Sequence, residues 1–204
     1  YINNEQDGLW SYFSPDGSII EEINFLEGKR DGRSTLWLTP EEKEEENFYR
    51  NGKLDGPSTY WENGNRITMT TYKNDTPNGP WVIWYPNSDQ IKEQGFHQNG
   101  IKEGLTTYYY KNGKLQQELN KEKGYSRQYY KNGQLKRETY LKKGVTKCWD
   151  ENGIEFNCDD IDFVNTNKPK ITNTDDNVYF DTDSRIYSHF KYGISFKEKR
   201  GWEI

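Results

Sequence analysis

Apolar and polar residues alternate along most of the chain, and the alternation restarts at near-regular intervals. Glycines at 8, 32, 56, 79, 104, 124 and 144 open similar segments, spaced 24, 24, 23, 25, 20 and 20 residues apart. Five residues after each comes an aromatic: Phe13, Trp37, Trp61, Trp84, Tyr109, Tyr129 and Trp149. With aromatics at 16% of the chain, seven in seven has a chance probability on the order of 10⁻⁶, so the chain is a repeat array.

A second glycine usually follows nine residues after the first, as in Asp16-Gly17, Asn112-Gly113, Asn132-Gly133 and Asn152-Gly153, with Asn63-Gly64 close to that spacing. Asn-Gly and Asp-Gly between alternating runs predict hairpins with type I′ turns, whose two central residues need positive φ. The first strand of each unit is expected to run from the leading glycine to this turn. The second runs through Ile19–Phe25, Arg66–Tyr72, Ile91–Phe96, Leu115–Leu119 and Leu135–Tyr140. Two units depart: the second is expected to replace its turn by an acidic, solvated loop over Thr39–Glu46, and the fourth uses Pro86-Asn-Ser-Asp89. The fold class is therefore all-β, an elongated single-layer antiparallel β-meander or solenoid of about seven hairpin repeats of 20–25 residues.

Within each strand, alternate residues face opposite sides. Counted from the leading glycine, odd offsets form a regular ladder face, a small β-former followed by the aromatic, whose job is structural. Even offsets form a variable face carrying Trp10, Tyr12, Tyr60, Trp81, Ile83, Tyr85, Tyr108, Tyr110 and Tyr130. These residues are the candidate partner-binding set; packing against the C-terminal tail, or merely stiffening the sheet, is the competing expectation.

The array is expected to occupy residues 1–156. After Phe156 the period vanishes, and Asn157–Asp183 reads as an irregular stretch. Alternation returns at Ile186, Ser188, Phe190, Tyr192, Ile194 and Phe196, so residues 157–204 are expected to form a β cap over the last open edge.

The residues that repeat most closely, Tyr109-Tyr-Lys-Asn-Gly-Lys-Leu-Gln-Gln-Glu118 and Tyr129-Tyr-Lys-Asn-Gly-Gln-Leu-Lys-Arg-Glu138, resemble the variant MORN repeat of bacteria, typical of the YwqK-type antitoxin family. The resemblance covers about residues 8–156. It implies a non-catalytic, protein-binding scaffold, an antitoxin-like or immunity protein that neutralises a cognate bacterial toxin. The alternative is a cell-wall or glycan-binding repeat protein, since the ring-rich units also look somewhat like choline-binding repeats.

Composition narrows this further. The chain has no alanine, a mean hydropathy of −1.22, 31% apolar residues and a net charge of −5. That suits a sheet wet on both faces and a basic protein partner, and it argues against nucleic acid. No run of apolar residues is long enough for a transmembrane segment. A start at Tyr1 rather than Met fits an upstream segment having been removed. The compartment is accordingly the bacterial cytoplasm or, with such a signal, the periplasm or cell surface.

Catalytic motifs are lacking, so the protein is not expected to be an enzyme, and no cofactor is implied. His97 and His189 stand in no ligand or nucleophile pattern. Glu22, Glu93, Glu118 and Glu138 recur with the repeat, as cross-strand partners of Lys or Arg would. Asp159–Asp162 and Asp181–Asp183 lack the glycine and terminal Glu of an EF-hand, and no metal site is expected. Cys148 and Cys158 flank the last Asn-Gly turn: a two-residue loop would set Cys148 opposite residue 157, a three-residue loop opposite Cys158. A disulfide and two reduced thiols both remain open.

Overall fold

A computed structural model describes residues 5–160. Fourteen strands form one sheet in strict chain order: β1 (Gly8–Phe13), β2 (Ile19–Leu26), β3 (Lys29–Thr39), β4 (Glu42–Arg50), β5 (Lys53–Glu62), β6 (Asn65–Lys73), β7 (Thr76–Trp84), β8 (Ile91–Gln98), β9 (Ile101–Tyr109), β10 (Leu115–Asn120), β11 (Tyr125–Tyr129), β12 (Leu135–Tyr140), β13 (Val145–Trp149) and β14 (Glu155–Phe156). Every strand pairs antiparallel with its chain neighbours, and a 3-10 turn at Cys158–Asp160 follows. This is the expected all-β meander of hairpin repeats. The array lies within a compact unit, Tyr1–Ile161. The cap expected over residues 157–204 falls outside the described residues, apart from its first four.

Two kinds of turn recur between the strands. Glu27-Gly28, Asn51-Gly52, Asn63-Gly64, Asn74-Asp75 and Asn99-Gly100 each have positive φ at both positions and connect directly paired residues, as type I′ hairpins require. At Asp16-Gly17, Asn112-Gly113 and Asn132-Gly133 only the glycine has positive φ. There the Asp or Asn side chain accepts the backbone N–H two residues on, from Ser18, Lys114 and Gln134. That bond holds the residue right-handed, giving a type I turn closed by a left-handed glycine in place of type I′.

The expected acidic loop is a strand. Thr39 pairs with Glu42 around a two-residue turn at Pro40-Glu41, and Glu42–Arg50 runs as β4. Alternation splits its charge between the two faces, and Lys43 ties to Glu46 at 2.7 Å.

The leading glycines at 32, 56, 79 and 104 do not begin strands but sit three residues inside β3, β5, β7 and β9. Each marks an irregularity in the ladder with the preceding strand. At Gly56 (φ 138°) and Gly79 (φ 130°) a Cβ would stand 2.8 Å from the Phe48 Cβ and 2.9 Å from the Thr71 Cβ, so the close approach of neighbouring strands requires glycine. A second bulge recurs beside each of the first six ladder aromatics, where Ile20, Glu44, Ile67, Lys92, Gln116 and Lys136 are the skipped residues.

Burial is divided between the two faces of this single layer. Ile23, Ser34, Trp81, Glu93, Thr106, Gln117 and Cys148 are buried on the variable face, and Thr35, Trp84 and Glu138 on the ladder face. So thin a core explains why the sequence manages with few aliphatic residues.

Candidate functional site: the variable face

The strand registers align one cross-strand row on the variable face: Tyr12, Glu21, Leu36, Glu45, Tyr60, Thr68, Ile83, Glu93, Tyr108, Gln117, Gln128, Arg137 and Cys148. Tyr12, Tyr60, Ile83 and Tyr108 of the candidate set therefore share a single line across the sheet. Trp10 and Trp81 belong to the next row, with Ile23 and Ser34.

Other candidates serve the array itself. The hydroxyls of Tyr85, Tyr110 and Tyr130 donate at 2.7, 2.7 and 2.9 Å to the carbonyls of Tyr109, Tyr129 and Trp149, each one unit further along. These three phenols stitch successive repeats together. Trp81 is only 3% exposed, with its ring edge against Gly95, where a Cβ would come within 2.7 Å. It is a packing residue, and its truncation disturbs the fold as well as any complex.

Around Trp81 stands a polar cluster that the sequence reading did not assemble. The Lys102 Nζ lies 3.7 Å from the centroid of the Trp81 ring and 3.5 Å from the Glu93 carboxylate. Glu93 is 5% exposed and faces Tyr108 on β9. Burial and the bond to Glu93 push the Tyr108 phenol well above its ordinary value. The His97 ring sits 5.8 Å from Trp81, and burial first, then the Lys102 charge, lowers its pKa. Trp81 Nε1 and His97 Nδ1 are buried without hydrogen-bond partners. Thr68, Thr70, Ile83, His97 and Lys102 surround a hollow of about 200 Å³ over this cluster.

A signal for it exists in the sequence. Trp10, Glu21 and Arg30 precede Trp81, Glu93 and Lys102 by 71, 72 and 72 residues. In that earlier copy Arg30 bonds Glu21 at 3.4 Å and lies over Tyr49, while Trp10 Nε1 donates to the Asp7 carbonyl. Glu93 thus lies on the face opposite Glu22, Glu118 and Glu138. The latter two meet Arg127 on the ladder face, at 3.9 and 2.7 Å.

The ladder face is less simple than rings stacked on rings. Lys43 sits over both Trp37 and Trp61, and Arg66 over Trp84 at 4.8 Å, so cations interleave with the indoles. It also bears an exposed apolar strip: Phe96 pairs with Pro80, and both line a groove of about 410 Å³ with Leu105 and Val82.

Cys148 and Cys158 form a disulfide with a Cα–Cα distance of 5.3 Å. Neither simple loop reading describes it. Cys148 pairs with Phe156 across a five-residue connection, and the 3-10 turn then brings Cys158 back over Cys148. Among the described residues no group of three or more His, Cys, Asp or Glu could hold a metal ion, and no helix is long and apolar enough to cross a membrane. Residues 161–204, which include Asp162, Asp181, Asp183 and His189, lie outside the described part.

No curated protein matches the chain. Residues 6–27, 102–120 and 122–143 match the MORN repeat variant, and the strands between the matched segments continue the same antiparallel ladder.

Proposed function

We propose that this array is a non-catalytic scaffold that binds one protein through its variable face, and that the partner is a basic bacterial toxin which the chain neutralises as an antitoxin or immunity protein. The supporting observation is the single cross-strand row carrying Tyr12, Tyr60, Ile83 and Tyr108, with no second layer over it among the described residues. Large rings on a rigid sheet supply contact area at low entropic cost, which is what binding hot spots need. The chain's net charge of −5 favours a partner of opposite charge and speeds its approach.

The test is co-purification with the products of adjacent genes, followed by calorimetry. Tyr12→Ala and Tyr108→Ala should each weaken the complex by about 2 kcal/mol, while Leu105→Ala on the opposite face leaves it unchanged. Saturable binding of cell-wall glycan, with no protein captured, would replace this reading by the glycan-binding alternative. A complex weakened only by Leu105→Ala would move the interface to the ladder face.

A further inference from the structure

The cluster at Trp81 has the composition of a cation receptor that is already filled. An indole face offers a negative quadrupole, and an ammonium 3.7 Å from its centroid is in direct contact with it. The adjoining Glu93 carboxylate is buried, and a buried carboxylate needs a cation beside it. Tyr108 stands opposite that carboxylate across β8 and β9, with its hydroxyl bonded to it. The cation that meets these demands is Lys102, whose side chain is 48% exposed and reaches in from solvent at the end of a flexible stem. Buried groups are thus held by a half-exposed occupant, next to an open hollow lined by Thr68, Thr70 and His97.

The earlier copy of the motif sharpens the contrast. Arg30 is held there by two partners at once, the Glu21 carboxylate and the Tyr49 hydroxyl, in addition to lying over the Tyr49 ring. Trp10 has its indole N–H engaged by Asp7. At the later copy the indole N–H of Trp81 has no partner. The first copy holds its cation by a carboxylate, a hydroxyl and a ring, whereas the second holds Lys102 by one carboxylate and one ring.

We propose that Trp81, Glu93 and Tyr108 form a receptor for an alkylammonium group, that Lys102 is its resting occupant, and that a lysine side chain of the protein partner takes its place on binding. Only the source of the ammonium rests on the protein-partner reading; the receptor does not. Exchange conserves the ion pair and the ring contact, so the carboxylate is never left bare, and displaced Lys102 is free to meet an acidic group on the incoming surface.

The experiment uses the purified chain and small probes, so its result is separate from any search for a partner. The indole N–H resonance of Trp81 is followed by NMR during titration with butylammonium, a lysine mimic, and with tetramethylammonium, a quaternary head-group mimic. The wild-type chain should respond weakly. Lys102→Gln, which removes the occupant and keeps a polar stem, should bind butylammonium at least tenfold more tightly than wild type, and Lys102→Ala should do the same. Adding Glu93→Gln to Lys102→Gln should abolish the gain, with far-ultraviolet circular dichroism confirming an intact sheet. Equal binding by wild type and the Lys102 variants, or a gain that survives Glu93→Gln, would overturn the proposal. Preference for tetramethylammonium over butylammonium would overturn the lysine assignment in favour of a choline-type ligand.

Discussion

The long repeats at β3–β9 and the short repeats at β10–β13 solve the same problem by different means. Long units have strands of 8–11 residues, and successive units are joined by type I′ turns at Glu27-Gly28, Asn51-Gly52, Asn74-Asp75 and Asn99-Gly100. These turns bond back to earlier strands, as from Gly52 N–H to the Arg30 carbonyl and Gly100 N–H to the Pro77 carbonyl. Short units have strands of 5–6 residues and replace that two-residue turn by a four-residue one, Lys121–Gly124, closed from Gly124 N–H to the Asn120 carbonyl. Shortening removes the strand segment before the leading glycine, and with it the row that holds Arg30, Tyr49, His97 and Lys102. What appears in exchange is side-chain stitching. The phenol-to-carbonyl bonds begin at Tyr85, where the period is about to fall, and the Arg127 pairs with Glu118 and Glu138 follow. Polar side chains thus do in the short units what strand length does in the long ones, and only the long units have room for a cation receptor.

The sharpest way to break this comparison is to remove a ring from the long units. Trp84→Ala and Trp81→Ala should each cost about 3–5 kcal/mol in a urea titration, because both indoles are buried, on opposite faces of one strand. A small loss at Trp81 alone would mean that the variable face contributes little to the core and would return that residue to the partner surface.

A finer test uses two leading glycines. Gly79→Ala places a Cβ against Thr71 in a left-handed backbone and should cost about 2–3 kcal/mol. Gly104→Ala, at φ 68° with nothing within 4 Å, meets only the backbone penalty and should cost about 1 kcal/mol. Equal losses would show that conformation alone, and not strand approach, selects glycine.

The smallest expected effect belongs to the short units and is read by pH. Burial, then the bond to Glu118, pushes the Tyr129 phenol up to about 12. A raised phenol favours the neutral form in the folded chain. Its contribution to stability is therefore complete below 10, the ordinary value, and is lost as pH rises through about 12. Urea midpoints measured from pH 9 to 12 should fall more steeply in wild type than in Tyr129→Phe. Parallel curves would show that this bond does not hold the short units.

The array and its two-sided alternation were legible because each rests on local rules: glycine for positive φ, Asn or Asp for the turn, a ring at a fixed offset. Turn subtype was less so, since Asn112-Gly113 and Asn63-Gly64 read alike until the side chain of Asn112 is seen to take the Lys114 N–H. The acidic run carries the charge density of a solvated loop and so masks a strand, in which Lys43 between Trp37 and Trp61 gives β4 a structural role. The cation receptor was hidden for a different reason. Its members come from three strands, and the register that unites Glu93 with Tyr108 depends on bulges that sequence does not announce.

Strict chain-order pairing has a consequence for how the molecule is made. No strand has to wait for a distant one, so closing each contact costs the entropy of a short turn and never that of a long loop. Growth can begin at any hairpin and pass from neighbour to neighbour, and the ends open before the middle. Whole units can be gained or lost without redesigning those that remain. The number of repeats is therefore open to adjustment by duplication, while the chemistry of a single unit can change without redesigning the rest of the array.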